Sequence, residues 1–290
     1  MNRKESIEFK ISNLGNISLE SLTFEGNIKI RLQWLGQAGF LIESKKEKIM
    51  IDPYLSDSLA EKYKGSIFPH QRMMPIPVAP EKISGVDVYF STHQHADHLD
   101  EHTVAAISRT NPNCRFVIPA SCRDSPKAKS IKAENLIFAD AFSPFKIDKI
   151  KVYPIPAAHE ILSIDEAGHH NFLGYIISMD GIVIFHSGDC VPYDGLIKNL
   201  SDFKVDIALL PINGRDEIRK AAGILGNFTL TEAVELAHLA GFRYTIGHHY
   251  GMFNFNTIDF IQACEFLSSR DEQSFIIAQM GKAYDFVLNK

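Results

Sequence analysis

The sequence predicts an α+β fold in which two β-sheets pack together and carry helices on their outer faces. Three observations lead there. Short apolar or alternating segments dominate early in the chain, and strands then mix with helices. No linker rich in Gly or Ser, internal repeat or low-complexity tract divides the 290 residues. Residues 1–27 are polar and weakly patterned, which assigns them to an arm or short edge structure ahead of a single domain over 28–290.

Apolar and polar residues alternate from Ile28 through Ile30, Leu32 and Trp34, the pattern of a half-buried strand. Gly36 and Gly39 punctuate the turn into a strand over 40–43, and another over 48–51 ends at Asp52-Pro53. The Pro-rich stretch 54–80 is a long loop, and loops of that length inside a compact domain are more often functional than idle. Further strands are expected over 86–91, 115–118, 135–138, 150–154, 172–178, 182–185, 205–210 and 244–246, with Asp180-Gly181 turning a hairpin. Helices are expected at 101–109, 193–200, 229–240 and 256–268. The third is bounded by a capping box, Thr229 with Glu232, and by Gly241 at its end.

Bulk properties narrow the function. A net charge of -5 gives no electrostatic footprint for nucleic acid. No apolar run approaches the ~20 residues that span a bilayer, and the N-terminus lacks the apolar core of a secretion signal. Cys114, Cys122, Cys190 and Cys264 form no CxxC pair, which fits a reducing, cytoplasmic setting. The unusual feature is the set of twelve histidines, because they cluster.

The chemistry concentrates in His93-Gln94-His95-Ala96-Asp97-His98, directly after a buried strand and before a helix. Three imidazoles and a carboxylate in six residues are costly to bury without a common purpose, and metal binding supplies one. A loop at a strand's carboxyl end aims His93 and His95 at one ion and lets Asp97 and His98 face a second. Further ligands are expected where other strands stop: His159, Asp189 beside Gly188, and His248 or His249. Asp52 has two readings, a carboxylate that orients a liganding imidazole or a turn residue before Pro53.

The run His93-x-His95-x-Asp97-His98, with His159, Asp189 and His249, resembles the metallo-β-lactamase superfamily. Residues 34–40, 185–189, 210–216 and 249–253 look like its L-ascorbate-6-phosphate lactonase-like branch, and the resemblance covers roughly 28–285. It implies a four-layer αββα sandwich of two mixed sheets flanked by helices, with two divalent metal ions at one edge. It also implies His93, His95 and His159 on the first metal, Asp97, His98 and His249 on the second, and Asp189 bridging both. His249 is preferred to His248 because it heads His-Tyr-x-x-Phe.

Metal coordination lowers the pKa of water from 15.7 to about 7, giving a nucleophile for an ester carbonyl or a phosphorus, and the resemblance implies hydrolysis of a lactone or ester. Asp97 is the expected catalytic residue, orienting the nucleophile and handling its proton. Imidazole and carboxylate donors admit zinc or manganese, and iron as well. Arg215, with Arg72 and Asn213, is expected to grip an anionic small molecule such as a sugar-acid phosphate, because a guanidinium fork suits phosphate or carboxylate. No nucleic-acid or membrane partner is expected, and a homo-oligomer is left open. The rivals are a phosphodiesterase or nuclease of the same fold, a glyoxalase-type thioesterase and a non-catalytic metal-binding module. A diiron oxygen or nitric oxide reductase would carry Glu in place of His95.

Overall fold

The computed structural model describes residues 6–14 and 27–289. Its first sheet is built from β1 (Ser6–Asn13), β2 (Ile28–Gly36), β3 (Gly39–Glu43), β4 (Lys48–Ile51), β5 (Val88–Phe90), β6 (Arg115–Pro119), β7 (Leu136–Ala139) and β17 (Lys282–Asn289), in the order β1-β17-β2-β3-β4-β5-β6-β7. Pairing is antiparallel from β1 to β4 and parallel from β4 to β7. The second sheet contains β8 (Phe145–Ile147), β9 (Ile150–Pro156), β12 (Leu173–Met179), β13 (Ile182–His186), β14 (Ile207–Pro211), β15 (Tyr244–His248) and β16 (Phe275–Ile277), in the order β16-β15-β14-β13-β12-β9-β8. It too is mixed, parallel from β13 to β16 and antiparallel elsewhere. A two-residue hairpin, β10 (Ala158–His159) with β11 (Ile161–Leu162), stands apart from both.

The period-two alternation of each strand sorts its side chains into layers. Ile30, Leu32, Phe40, Ile42, Ile49, Ile51, Val88 and Phe90 face the second sheet and share its core with Tyr175, Ile177, Ile184 and Leu209. Their neighbours Leu41, Met50, Tyr89 and Phe116 point outward and are covered by Val104 and Ile107 of α2 (Glu101–Thr110). The second sheet is covered by α3 (Leu196–Leu200), α5 (Leu230–Ala240) and α6 (Phe260–Ser269), through Leu200, Val234, Ala237, Ala263 and Leu267. Two further short helices, α1 (Ser58–Lys62) and α4 (Glu217–Ala221), lie in loops. The result is the four-layer αββα sandwich. The capping box of α5 is present, with both Thr229 and Glu232 bonded, and Gly241 closes the helix in the left-handed region at φ 65°.

Of the stretch read as an arm or short edge structure, residues 6–13 are an edge strand of the first sheet. Residues 6–13 pair with β17 along their whole length, so the first sheet begins ahead of residue 28. Phe9 anchors the strand, its ring 5.0 Å from Phe286 and 5.3 Å from Tyr244 of the second sheet. The rest of that arm, 1–5 and 15–26, lies outside the described residues. No helix among the described residues is long and apolar enough to cross a membrane.

Candidate metal centre

Both sheets end on one edge, and the candidate ligands gather there. The loop after β5 supplies His93, His95, Asp97 and His98, β10 supplies His159, and the turns after β13 and β15 supply Asp189 and His249. Ligand atoms of His93, His95 and His159 lie within 4.8 Å of one another, as do those of Asp97, His98 and His249, and those of His93, His98 and Asp189. Asp189 divides its carboxylate between the groups. Its Oδ1 lies 3.3 Å from His98 Nε2 and 3.1 Å from His249 Nε2, while Oδ2 lies 3.5 Å from His159 Nε2.

Local backbone explains the placement. β15 ends with His248 on the inner face, its ring 5.3 Å from Phe40 and 5.0 Å from His186. His249 then turns into the left-handed region at φ 63°, which sends its ring to the edge instead. His248 is therefore a core residue. Gly188, at φ 62°, lets the Asp189 turn pass against Leu173 and Thr92, where an added Cβ would come within 2.7 Å of the Leu173 carbonyl oxygen. His186 holds that turn, donating from Nε2 to the Ala38 carbonyl at 2.9 Å and accepting the Gly188 N–H on Nδ1 at 3.0 Å.

A second layer of hydrogen bonds fixes the imidazoles. Asp52 accepts from His98 Nδ1 at 2.7 Å and from the Thr92 hydroxyl at 2.6 Å. With its proton given to Asp52, the Thr92 oxygen accepts from His93 Nδ1 at 3.0 Å. His159 Nδ1 donates to the Gly226 carbonyl at 2.9 Å. In all three rings Nδ1 is engaged by a hydrogen bond, so Nε2 is the nitrogen aimed at the centre. Asp52 thus orients two imidazoles and is more than a turn residue.

The donor set fits divalent cations. His93 Nε2, His98 Nε2 and Asp189 Oδ1 are buried without a hydrogen-bond partner among the described residues, a cost rarely tolerated unless another group is met there. Burial drives His93 well below the ordinary histidine range and His159 down to about 4, so both are neutral and ready to donate a lone pair. Burial would lower His98 too, but the carboxylates of Asp189, Asp52 and Asp97 raise it well above that range. The cluster of carboxylates calls for positive charge, which cations held by these ligands would provide. Burial acts to raise Asp97, yet the imidazoles of His98 and His249 hold it below the usual carboxylate range.

The centre opens into a cleft of ≈ 830 Å³ whose lining includes His95, Asp97, His159, Asp189, His249 and Lys127. The three residues expected to grip the substrate are not on that lining. Arg215 is engaged by Glu232, with Nη1 and Nη2 at 2.7 and 2.6 Å, and also donates to the Asn227 carbonyl at 3.0 Å. Arg72 donates to the carbonyls of Tyr54, Ser56 and Met74 and braces the Pro-rich loop from behind. Asn213 is buried and donates to Asn256 Oδ1 at 2.7 Å, so it reaches the cleft only through Asn256. The fork of Arg215 is consumed by an internal carboxylate, while Arg72 spends Nε and Nη1 on backbone carbonyls and keeps a buried Nη2 with no hydrogen-bond partner among the described residues.

Two groups had no assigned role in the sequence, one buried behind the centre and one on the cleft lining. Gln37, at φ 50° between Gly36 and Gly39, donates from Nε2 to Asp97 Oδ2 at 2.8 Å and lies 3.3 Å from His249 Nε2. Its carbonyl accepts from the Trp34 indole and the His249 N–H, both at 2.9 Å. Lys127 donates to the Gln94 carbonyl, inside the histidine run itself. Burial lowers its pKa, and Asp97 opposes that shift. The turn around Gly36 and Gly39 is a signal for Gln37, but Lys127 sits among other lysines and carries none.

An αββα sandwich with paired imidazole–carboxylate clusters at one edge defines a class of metal-centred proteins. The model of the beta-lactamase superfamily domain matches residues 47–250, and the chain belongs to the metallo-β-lactamase superfamily. A UPF0173 metal-dependent hydrolase of Pyrococcus furiosus is 29% identical over 230 residues, covering 76% of this chain and 84% of the relative. One from Methanosarcina mazei is 28% identical over 231 residues, covering 78% and 85%. Among solved structures, an isothiocyanate hydrolase from Delia radicum gut bacteria superposes with a TM-score of 0.70 at 19% identity, covering 87% of this chain and 97% of the other. A metallo hydrolase from Ignicoccus hospitalis gives 0.62 at 20% identity, covering 90% and 98%. At these identities the structural matches speak to the fold.

Proposed function

We propose that the protein is a metal-dependent hydrolase that cleaves an ester or lactone bond at a dinuclear centre. The observation that carries this reading is the division of the Asp189 carboxylate, one oxygen toward His98 and His249 and the other toward His159. His93, His95, His159 and Asp189 Oδ2 would hold one cation, and Asp97, His98, His249 and Asp189 Oδ1 the other, with zinc or manganese suited to these donors and iron admitted. Cations bound there would supply Lewis acidity and a water acidified toward neutral pH.

The remaining roles fall to the chain. Asp97, held below the usual carboxylate range by His98 and His249, borders the cleft and would take the proton of the attacking water, while Gln37 donates to its Oδ2. Gln37 fixes that carboxylate and the neighbouring His249 in one geometry. Lys127 presents an ammonium at the cleft and meets an anionic group of the substrate, the part that the sequence had given to Arg215. The names of the Pyrococcus and Methanosarcina relatives support the reaction type. The narrower likeness of residues 34–40 and 249–253 to L-ascorbate-6-phosphate lactonase-like proteins supports a lactone or similar ester. Four free thiols suit a cytoplasmic location.

The test is an assay of the metal-loaded protein against lactones, carboxylic esters and phosphodiesters, beside Asp97→Asn. Turnover of an ester or lactone that falls by at least about a hundredfold in Asp97→Asn supports the reading. Turnover of phosphodiesters alone replaces it with phosphodiester cleavage, and no turnover of any class leaves a metal-binding module.

A further inference from the structure

One wall of the cleft takes no part in the chemistry above. Tyr63, Phe68 and His70, from the loop after α1, meet Phe253 and Phe255, from the loop after β15. His70 is the hub. Tyr63 stacks on its ring at 4.2 Å, and Phe253 and Phe255 meet it edge-on at 4.9 and 4.8 Å. Phe68 extends the wall, 5.2 Å from Phe255. His70 Nδ1 is tied to the Phe68 carbonyl at 2.8 Å, and burial lowers its pKa, so its ring is a neutral aromatic surface.

The wall adjoins the reacting centre. Ala96, between His95 and Asp97, packs against the same apolar cluster as Phe253 and Phe255. The rings and Asp97 thus line the same cleft, on either side of Ala96 in the packing. Phe68 and Phe255 are only half-buried, so apolar surface stays in contact with water until something covers it. The cleft's ≈ 830 Å³ suits a small molecule. A sugar laid here would need a partner for each hydroxyl taken from water, and among these rings only Tyr63 and His70 carry polar atoms.

We infer that this wall selects a substrate whose body is aryl or hydrocarbon, so that the bond cleaved belongs to an apolar acyl ester or lactone and not to a phosphorylated sugar. The bond in question rests on the hydrolase reading, but the contacts do not. Lys127, on the same lining, leaves room for one negative charge on such a molecule.

The experiment compares two carboxylates of equal charge, 3-phenylpropanoate and gluconate, as ligands of the metal-loaded protein by calorimetry. It uses the parent, Phe68→Ala and Phe255→Ala, each checked for folding by circular dichroism. Phenylpropanoate should bind at least about tenfold tighter than gluconate, and each variant should weaken phenylpropanoate roughly three- to tenfold without affecting gluconate. Equal affinities, or losses shared by both acids, overturn the inference. Should Phe255→Ala not fold, Phe68→Ala alone decides. Wall-dependent binding without turnover of any ester would refute the hydrolase reading and leave this one standing. Opening of sugar lactones by a protein that binds both acids alike would do the reverse.

Discussion

Asp52 accepts a hydrogen bond from His98 Nδ1 at 2.7 Å, and that contact turns the opposite nitrogen of the ring toward Asp189. The same carboxylate reaches His93 through the Thr92 hydroxyl, so one residue behind the centre orients an imidazole in each cluster. An Asp52→Asn side chain keeps the shape but loses an acceptor charge. Metal affinity, measured by competition with a chelator, should fall about 10- to 100-fold for a partner of this kind, while the fold is retained. Unchanged affinity at both sites would remove Asp52 from the centre.

Gly188 makes a second prediction through backbone alone. Its φ is 62°, and a methyl added there would stand 2.7 Å from the Leu173 carbonyl oxygen, which leaves no room for alanine. Gly188→Ala should cost about 1–3 kcal/mol of stability and shift Asp189, lowering metal affinity along with it. Thermal melting with and without metal separates the two effects. A variant of parental stability and affinity would show that the turn is more tolerant than its contacts imply.

The cations near the cleft should divide by position. Lys127→Met should raise KM for an anionic ester about tenfold and spare its neutral analogue, because Lys127 lines the cleft. Arg215→Met should change neither KM, since its fork is held by Glu232. The reverse pattern would restore Arg215 to the substrate and displace Lys127.

The Arg215–Glu232 pair should instead appear in stability. Burial acts to raise Glu232, but the hydrogen bonds from Arg215 and the Thr229 N–H win and lower it. A carboxyl lowered on folding contributes stability that is present above its ordinary pKa of 4.5 and is lost as pH falls through the lowered value. Both side chains are partly exposed, so solvent screening limits the loss in Glu232→Gln to about 1 kcal/mol at pH 7. Melting curves for parent and variant should converge in acid. A difference that grows as pH falls would contradict the assignment.

Much of this architecture was legible because apolar and polar residues alternate along strands such as β2, even though both of its faces are covered from Leu32 onward, and because caps such as Thr229–Glu232 are local. The edge structure allowed for residues 1–27 was given no bounds or partner, although Ile7, Phe9 and Ile11 alternate, since β1 pairs with the far end of the chain, in β17. At the site, the six-residue histidine run announced itself, and strand ends pointed to His159, Asp189 and His249. The substrate side did not follow from sequence. An arginine's residue type says nothing of whether a glutamate further along the chain has already claimed its fork, as Glu232 has claimed that of Arg215. Nor does it reveal that Lys127 reaches the Gln94 carbonyl, or that two distant loops bring Tyr63 and Phe255 to one wall.

The most direct measurement is the number of divalent ions the chain holds. Titration of metal-free protein with zinc or manganese, followed by calorimetry and elemental analysis, should saturate at two ions per chain. His93→Ala combined with His95→Ala should reduce that to one. Saturation of the parent at one ion or none would contradict the dinuclear centre on which the account depends.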